Sequence, residues 1–251
     1  IKYISMFVEQ LFSIDGKTAV VVGASRGIGE EIAVSFKKAG ANLICLSRSS
    51  APDNNELKGD YQQCDISNPP VFDRICKQAI EKYGSIDIFV NAAGITIPVD
   101  KNNNSTNFDE IVNINLVSHY KCLKIVSKYM FNGGSIINIT SIGSVQGFPG
   151  NPGYVASKGG LRMLSKSLAI DFSKDNIRVN NIAPGYILTD MTKDSQTDPV
   201  LYQERLDRMI IQRWGRTEDI VGAAIYLASN ASSYVTGIDL VIDGGWTAKG
   251  L

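Results

Sequence analysis

The sequence predicts one α/β domain, a doubly wound parallel sheet of about seven strands with helices on both faces. Three observations predict it. Short β-branched or apolar runs alternate with longer stretches of helical spacing along the 251 residues. The short runs are apolar on both faces, as strands covered from both sides are. Gly40, Gly84, Gly133-Gly134, Pro184-Gly185 and Gly244-Gly245 punctuate the joins, and no repeat or linker interrupts them.

The elements follow in order. Residues 1–11 are an N-terminal extension without assigned function, and the domain spans 12–251. The extension is mildly apolar, but Glu9 and the lack of a basic cluster make it a poor secretion signal. Strands are expected at 18–22, 42–46, 86–90, 135–140, 177–182 and 239–242, with a weaker one at 61–64. Ile28, Ile32, Ala33 and Phe36 share one face of a first helix, and Leu161, Leu164, Leu168 and Phe172 one face of a later one. The polar run 100–107 reads as a surface loop, and 190–212 as a polar insertion before the last helix.

Composition narrows the function. Hydrophobic residues at 44% and charged residues at 20% exclude wholesale disorder. With 25 basic and 25 acidic side chains there is no basic excess for neutralising phosphates, so no nucleic-acid partner is expected. No apolar run approaches the ~18 residues of a membrane span, and no membrane association is expected. Cys45, Cys64, Cys76 and Cys122 are scattered, which suits buried thiols in a reducing, cytoplasmic setting. His119 is the single histidine. A multi-histidine metal site is impossible, no metal is expected, and His119 itself reads as a helix residue without chemical role.

Chemistry begins at the first strand, which runs into Gly23-Ala24-Ser25-Arg26-Gly27-Ile28-Gly29 and then a helix. Glycines there allow a tight turn and let backbone N–H groups approach a pyrophosphate, which the helix N-terminus stabilises. The second strand ends in Ser47-Arg48 with no acid to take a ribose 2′-hydroxyl. Ser47, Arg48 and Arg26 suit a 2′-phosphate instead, so NADP(H) is the preferred cofactor and NAD(H) the alternative. Further on, Ser141 closes a strand, and Tyr154 and Lys158 stand four apart on one helical face. A phenol titrates near ~10. A neighbouring ammonium and an oxidised nicotinamide are expected to lower it into useful range.

In this order the residues resemble a classical short-chain dehydrogenase/reductase from about Phe12 to Gly245: Gly23 to Gly29, Asp65, Asn91-Ala92-Ala93-Gly94, Asn115, Ser141, Tyr154 with Lys158, Pro184-Gly185 and Thr189. Val22 departs from the pattern, since many relatives carry Thr there. The resemblance implies a Rossmann-like fold and an enzyme that interconverts a carbonyl and a secondary alcohol. Tyr154 would exchange the proton with the substrate oxygen, and Ser141 would hydrogen-bond that oxygen. Lys158 would tune Tyr154 and hold the nicotinamide ribose, and Asn115 would support a water-linked relay to Lys158. Asp65, beside Ile66, would meet the adenine. Asn91 to Gly94 would admit the ribose, and Pro184, Gly185, Ile187 and Thr189 would wrap the nicotinamide amide and pyrophosphate. Such proteins are homotetramers or homodimers, with helices at 107–131 and 153–172 forming one interface and 239–251 another.

A substrate lid is expected over about 190–214, with Met191, Tyr202 and Arg205 as substrate contacts alongside Ser141 and Tyr154. Arg205 and Arg208 share a helical face and suit a carboxylate, although a solvated helix surface is the plainer reading of the pair. The segment 147–154, Arg213-Trp214-Gly215 and Gly244-Gly245-Trp246 resemble gluconate 5-dehydrogenase-like members, implying a sugar, polyol or sugar acid. The alternative is a 3-oxoacyl-[acyl-carrier-protein] reductase, matched by 176–180 and 184–191. Asp175 weakens a docking patch for an acidic carrier, and Lys128 keeps part of it. A non-catalytic redox sensor or scaffold is the alternative from another class, and the presence of Tyr154, Lys158, Ser141 and Asn115 together weighs against it.

Overall fold

The computed structural model describes residues 2–50, 52, 54–97 and 107–249, and the backbone alone of 2–6. Seven strands form one sheet: β1 (Thr18–Val22), β2 (Asn42–Ser47), β3 (Tyr61–Gln63), β4 (Ile88–Asn91), β5 (Gly134–Ile139), β6 (Ile177–Pro184) and β7 (Asp239–Ile242). Their order is β3-β2-β1-β4-β5-β6-β7, and each neighbouring pair is parallel. The fold class is the one the sequence predicts, with bounds shifted by one or two residues at most strands. The sheet reverses its winding between β1 and β4, and ligands of such sheets bind at the carboxyl ends of the strands beside that point.

The helices are α1 (Lys2–Phe12), α2 (Gly27–Lys38), α3 (Pro69–Tyr83), α4 (Phe108–Val112), α5 (His119–Val126), α6 (Pro152–Asp171), α7 (Lys193–Thr197), α8 (Pro199–Asp207) and α9 (Glu218–Ala228). Alternate strand residues serve opposite faces of the sheet. Ala19, Val21, Ile88, Val90 and Ile137 pack against Ile32 and Phe36 of α2 and Ile220 and Leu227 of α9. Val20, Val22, Phe89 and Ile136 pack against Phe72 of α3, Leu123 of α5 and Leu168 of α6. This two-sided cover explains why the strands lack polar alternation. Cys45, Cys64, Cys76 and Cys122 are free thiols buried in these layers.

Three expectations change. The surface loop expected at 100–107 lies, except for Asn107, outside the described residues. The helix expected at 107–131 is broken: a π-helical turn, Asn113–Ser118, separates α4 from α5, and a short 3-10 turn follows at Ser127–Tyr129. The polar insertion at 190–212 carries two helices of its own, α7 and α8. Helix α1 runs from residue 2 through the rest of the extension and places Phe12 against the ring of Tyr226, centroids 6.4 Å apart. Among the described residues no helix is long and apolar enough to cross a membrane.

Candidate active site

The glycine loop sits where β1 delivers it, against the turn after β4. Gly23 has φ 83°, and a Cβ there would lie 2.6 Å from Ala93 N and 2.7 Å from Ala92 C. Only glycine lets the two turns approach this closely. Arg26 precedes α2 and no side chain caps the helix start, so the first-turn N–H groups are available to an anion. Ser25 and Ser47 join the loop to the end of β2 through hydroxyls 3.0 Å apart. Arg26 and Arg48 are both exposed, and Arg26 has a competing partner, Asp190, at 3.7 Å. A Cβ on Gly27 would meet the Thr189 methyl at 3.5 Å, which brings the 184–189 segment to the loop. Ile187 is buried and bridges to Gly215. These residues fit a dinucleotide.

Other expected contacts take local roles. Asp65 accepts from Ser67 N at 2.9 Å and Ser67 Oγ at 2.7 Å, bonds that hold its carboxyl below the usual range. Ile66 is buried beneath it. Asn91 donates to Asn138 Oδ1 at 3.0 Å across the sheet, while its own Oδ1 is buried without a partner.

Ser141 follows β5 and starts a short turn, accepting from Gly143 N at 3.0 Å. Its side chain also neighbours the Tyr154 phenol and favours the phenol's ionised form. Tyr154 and Lys158 lie one turn apart on α6, with the Lys158 ammonium 5.8 Å from the phenol ring centroid. Lys158 Nζ donates to the Ile139 carbonyl at 2.8 Å. Burial lowers the Lys158 pKa to about 8. Burial raises that of Tyr154, and the Ser141 side chain opposes the rise. The expectation that the ammonium and an oxidised nicotinamide lower the phenol concerns the loaded site; in the chain alone burial is the largest influence.

Asn115 lies in the π-helical turn. Its Oδ1 accepts from Ile95 N at 2.9 Å, and its Nδ2 donates to Ile95 O at 2.8 Å and Ser157 Oγ at 3.2 Å. A Cβ on Gly94 would lie 3.4 Å from Lys158 Nζ and 3.5 Å from Asn115 Oδ1, so these three residues share one small space. His119, one turn beyond Asn115, is fully buried with neither ring nitrogen hydrogen-bonded. Burial first, then the Lys158 charge, lowers its pKa to about 3.

Beside Ser141 stands an aromatic cluster that the sequence reading does not assemble. A Cβ on Gly143 would lie 2.9 Å from the Phe148 ring and 3.4 Å from Ser141 Oγ. Phe148 leads to Tyr186 at 6.4 Å, and Tyr186 to Trp246 at 4.8 Å and Trp214 at 5.5 Å. Tyr202 of α8 stacks on Trp214 at 5.2 Å. Arg205 lies over Tyr186 at 5.2 Å and Arg208 over Trp246 at 5.6 Å. Of the expected substrate contacts, Tyr202 and Arg205 join this cluster and Met191 stays exposed outside it. Tyr186, Phe148, Trp214 and Trp246 are missed as site residues. The signal available was that the chain's two tryptophans follow the lid and the last strand.

Comparison with known proteins identifies the family. The family model described as Enoyl-(Acyl carrier protein) reductase matches residues 23–247. The chain is 35% identical over 253 residues to 2-dehydro-3-deoxy-D-gluconate 5-dehydrogenase of Escherichia coli K12, covering 95% of this chain and 98% of that one. It is 37% identical over 241 residues to a 3-oxoacyl-[acyl-carrier-protein] reductase of Chlamydia muridarum, covering 91% and 96%. The structure of gluconate 5-dehydrogenase from Burkholderia cenocepacia, in complex with NADP and tartrate, superposes with TM-score 0.88 at 29% identity, covering 97% and 100%. With its parallel seven-stranded sheet and its matched length, the chain belongs to the short-chain dehydrogenase/reductase family of oxidoreductases.

Proposed function

We propose that the chain is an NADP(H)-dependent enzyme interconverting a carbonyl and a secondary alcohol on a sugar, polyol or sugar acid. The observation that carries the reaction is the grouping of Ser141, just past the carboxyl end of β5, with Tyr154 and Lys158 of α6, whose ammonium lies 5.8 Å from the phenol ring and donates to the Ile139 carbonyl of β5. Tyr154 gives its proton to the substrate oxygen in reduction and takes it in oxidation. Ser141 bonds the same oxygen and holds it against the phenol. Lys158, anchored on Ile139, has two further donors for ribose hydroxyls and a proton path. Asn115 is a positioning residue, clamping the 94–95 turn to α6. When bound, the nicotinamide supplies or accepts the hydride.

The backbone at Gly23, Gly27 and Gly29 and the uncapped start of α2 suit the pyrophosphate. Ser47, Arg48 and Arg26 favour a 2′-phosphate, because β2 ends without an acid and Asp190 is an exposed, exchangeable partner for Arg26. The gluconate 5-dehydrogenase structure with NADP supports this preference, and the sugar-acid relatives support the substrate class.

Two exposed apolar faces support a homotetramer or homodimer. One carries Val117, Tyr120, Met163 and Ile170 on the π turn, α5 and α6, and the other Tyr234, Ile238 and Val241 at the β7 edge. Buried free thiols suit a cytoplasmic setting.

Tyr154→Phe should lose turnover by at least about a hundredfold while NADPH binding persists. Unchanged turnover defeats the mechanism, and tighter binding of NADH than NADPH defeats the cofactor preference. An acetoacetyl thioester reduced faster than any sugar derivative would move the substrate reading to 3-oxoacyl reduction.

A further inference from the structure

We infer that Arg205 anchors a substrate carboxylate, so that the chain acts on a hydroxylated acid in preference to a neutral sugar. The inference rests on reading Ser141 and Tyr154 as the reacting end of the same site. Arg205 stands on a helix of polar composition, yet its side chain is only 23% exposed. Its guanidinium lies 5.2 Å from the centroid of the Tyr186 ring, and its Nε is buried without a hydrogen-bond partner. The carboxylate paired with it is that of Glu204, at 3.9 Å and 57% exposed, too long for a hydrogen bond.

The neighbouring arginines differ. Arg213 is held bidentately by Asp219 at 2.6 and 2.8 Å. Arg208 lies over Trp246, on the far side of Tyr186 from Phe148 in the chain of ring contacts. Arg205 is therefore a partly buried cation of this cluster whose Nε is buried unpaired and whose nearest carboxylate lies beyond hydrogen-bond reach. Trp214 Nε1, buried in the same cluster, also lacks an acceptor. Donors without acceptors among aromatic rings call for an acceptor-only group. A carboxylate matches the planar guanidinium fork.

Ring contacts lead from Arg205 by way of Tyr186 and Phe148 towards Ser141. A sugar acid would lay its C–H edges on these rings and its carboxylate on Arg205, whereas a neutral sugar would leave Arg205 with the long Glu204 contact alone.

The test compares Arg205→Leu, which keeps an apolar stem on Tyr186, with the unaltered enzyme on 5-keto-D-gluconate and on the neutral ketose D-fructose. The loss of a charge-assisted hydrogen bond predicts a rise in KM for the acid of about 10- to 100-fold, a smaller change in kcat, and a much smaller change for fructose. Arg205→Lys should restore part of the acid KM. Equal losses on both substrates, or an unchanged acid KM, overturn the anchor. Calorimetric binding of D-gluconate to the Tyr154→Phe protein reads the anchor without turnover. Weaker binding after adding Arg205→Leu supports it, and equal or absent binding to both proteins overturns it. Failure of the catalytic reading shows instead as turnover surviving Tyr154→Phe.

Discussion

Replacing Lys158 by methionine separates what this residue does for chemistry from what it costs the fold. Its ammonium is buried, and burial alone lowers its pKa from 10.5 to about 8. One pKa unit corresponds to about 1.4 kcal/mol, so burying the charged form costs about 3 kcal/mol. The sign follows from proton counts. Between about pH 8 and 10.5 the unfolded chain holds a proton that the folded chain has released. Stability therefore rises with pH across that window, and the full cost is present below it. Methionine fills much the same volume without charge, but it leaves the Ile139 carbonyl without the 2.8 Å donor, a loss of about 1 kcal/mol. The net gain at pH 7 is about 2 kcal/mol, or roughly 4–8 °C in melting temperature for a domain of this size. Thermal unfolding of both proteins at pH 7 and pH 10 reads it. Lys158→Met should melt higher at pH 7, lose turnover, and keep little of its advantage at pH 10. A variant that melts no higher at pH 7, or an advantage independent of pH, refutes the reasoning.

Two further substitutions test the surroundings of the site. His119 has its pKa lowered to about 3 by burial and then by the Lys158 charge, so the fold loses stability as pH falls below the ordinary value of 6.5. His119→Leu should unfold at lower pH than the parent in an acid titration followed by circular dichroism, and an unchanged midpoint rules out His119 as an acid trigger. At Gly23 an added Cβ would press on the Ala92 and Ala93 backbone, which cannot swing aside, at a φ of 83°. Gly23→Ala should cost about 3 kcal/mol and weaken NADPH binding in a fluorescence titration, and normal melting with normal binding contradicts the close approach of the two turns.

The parts of this structure that the sequence reveals are those set by short-range rules. β1, buried at every residue, reads as a continuous apolar run and appears at its observed bounds, and the apolar run of the half-exposed edge strand β7 marks its bounds as well. The glycine loop is legible because a strand precedes it and a helix follows. Tyr154 and Lys158 are legible because four residues on a helix make one face. What escapes is set by tertiary contact. No residue type marks the π-helical turn at Asn113–Ser118, which interrupts a segment that reads as one uniform helix. The polar composition of α8 suggests a solvated surface, yet the burial of Arg205 is decided by Tyr186, distant in sequence. The phenol of Tyr154 reads as a group lowered by its lysine and an oxidised nicotinamide, and only the fold shows the burial that raises it in the chain alone.

The same comparison explains how a chain of zero net charge holds a site for anions. Among the described residues, neither Lys158 nor Arg205 donates a hydrogen bond to a carboxylate, whereas Lys37, Arg162 and Arg213, away from the catalytic side chains, each do. Lys158 is buried and the Arg205 side chain is 23% exposed, so both charges sit where low-dielectric surroundings screen them less than they screen a surface cation. An anion bound there would relieve the burial that Lys158 bears without a carboxylate partner and that the long, exposed Glu204 contact leaves on Arg205. Net charge alone therefore does not describe the site; the proposed reading rests on how these individual cations are partnered.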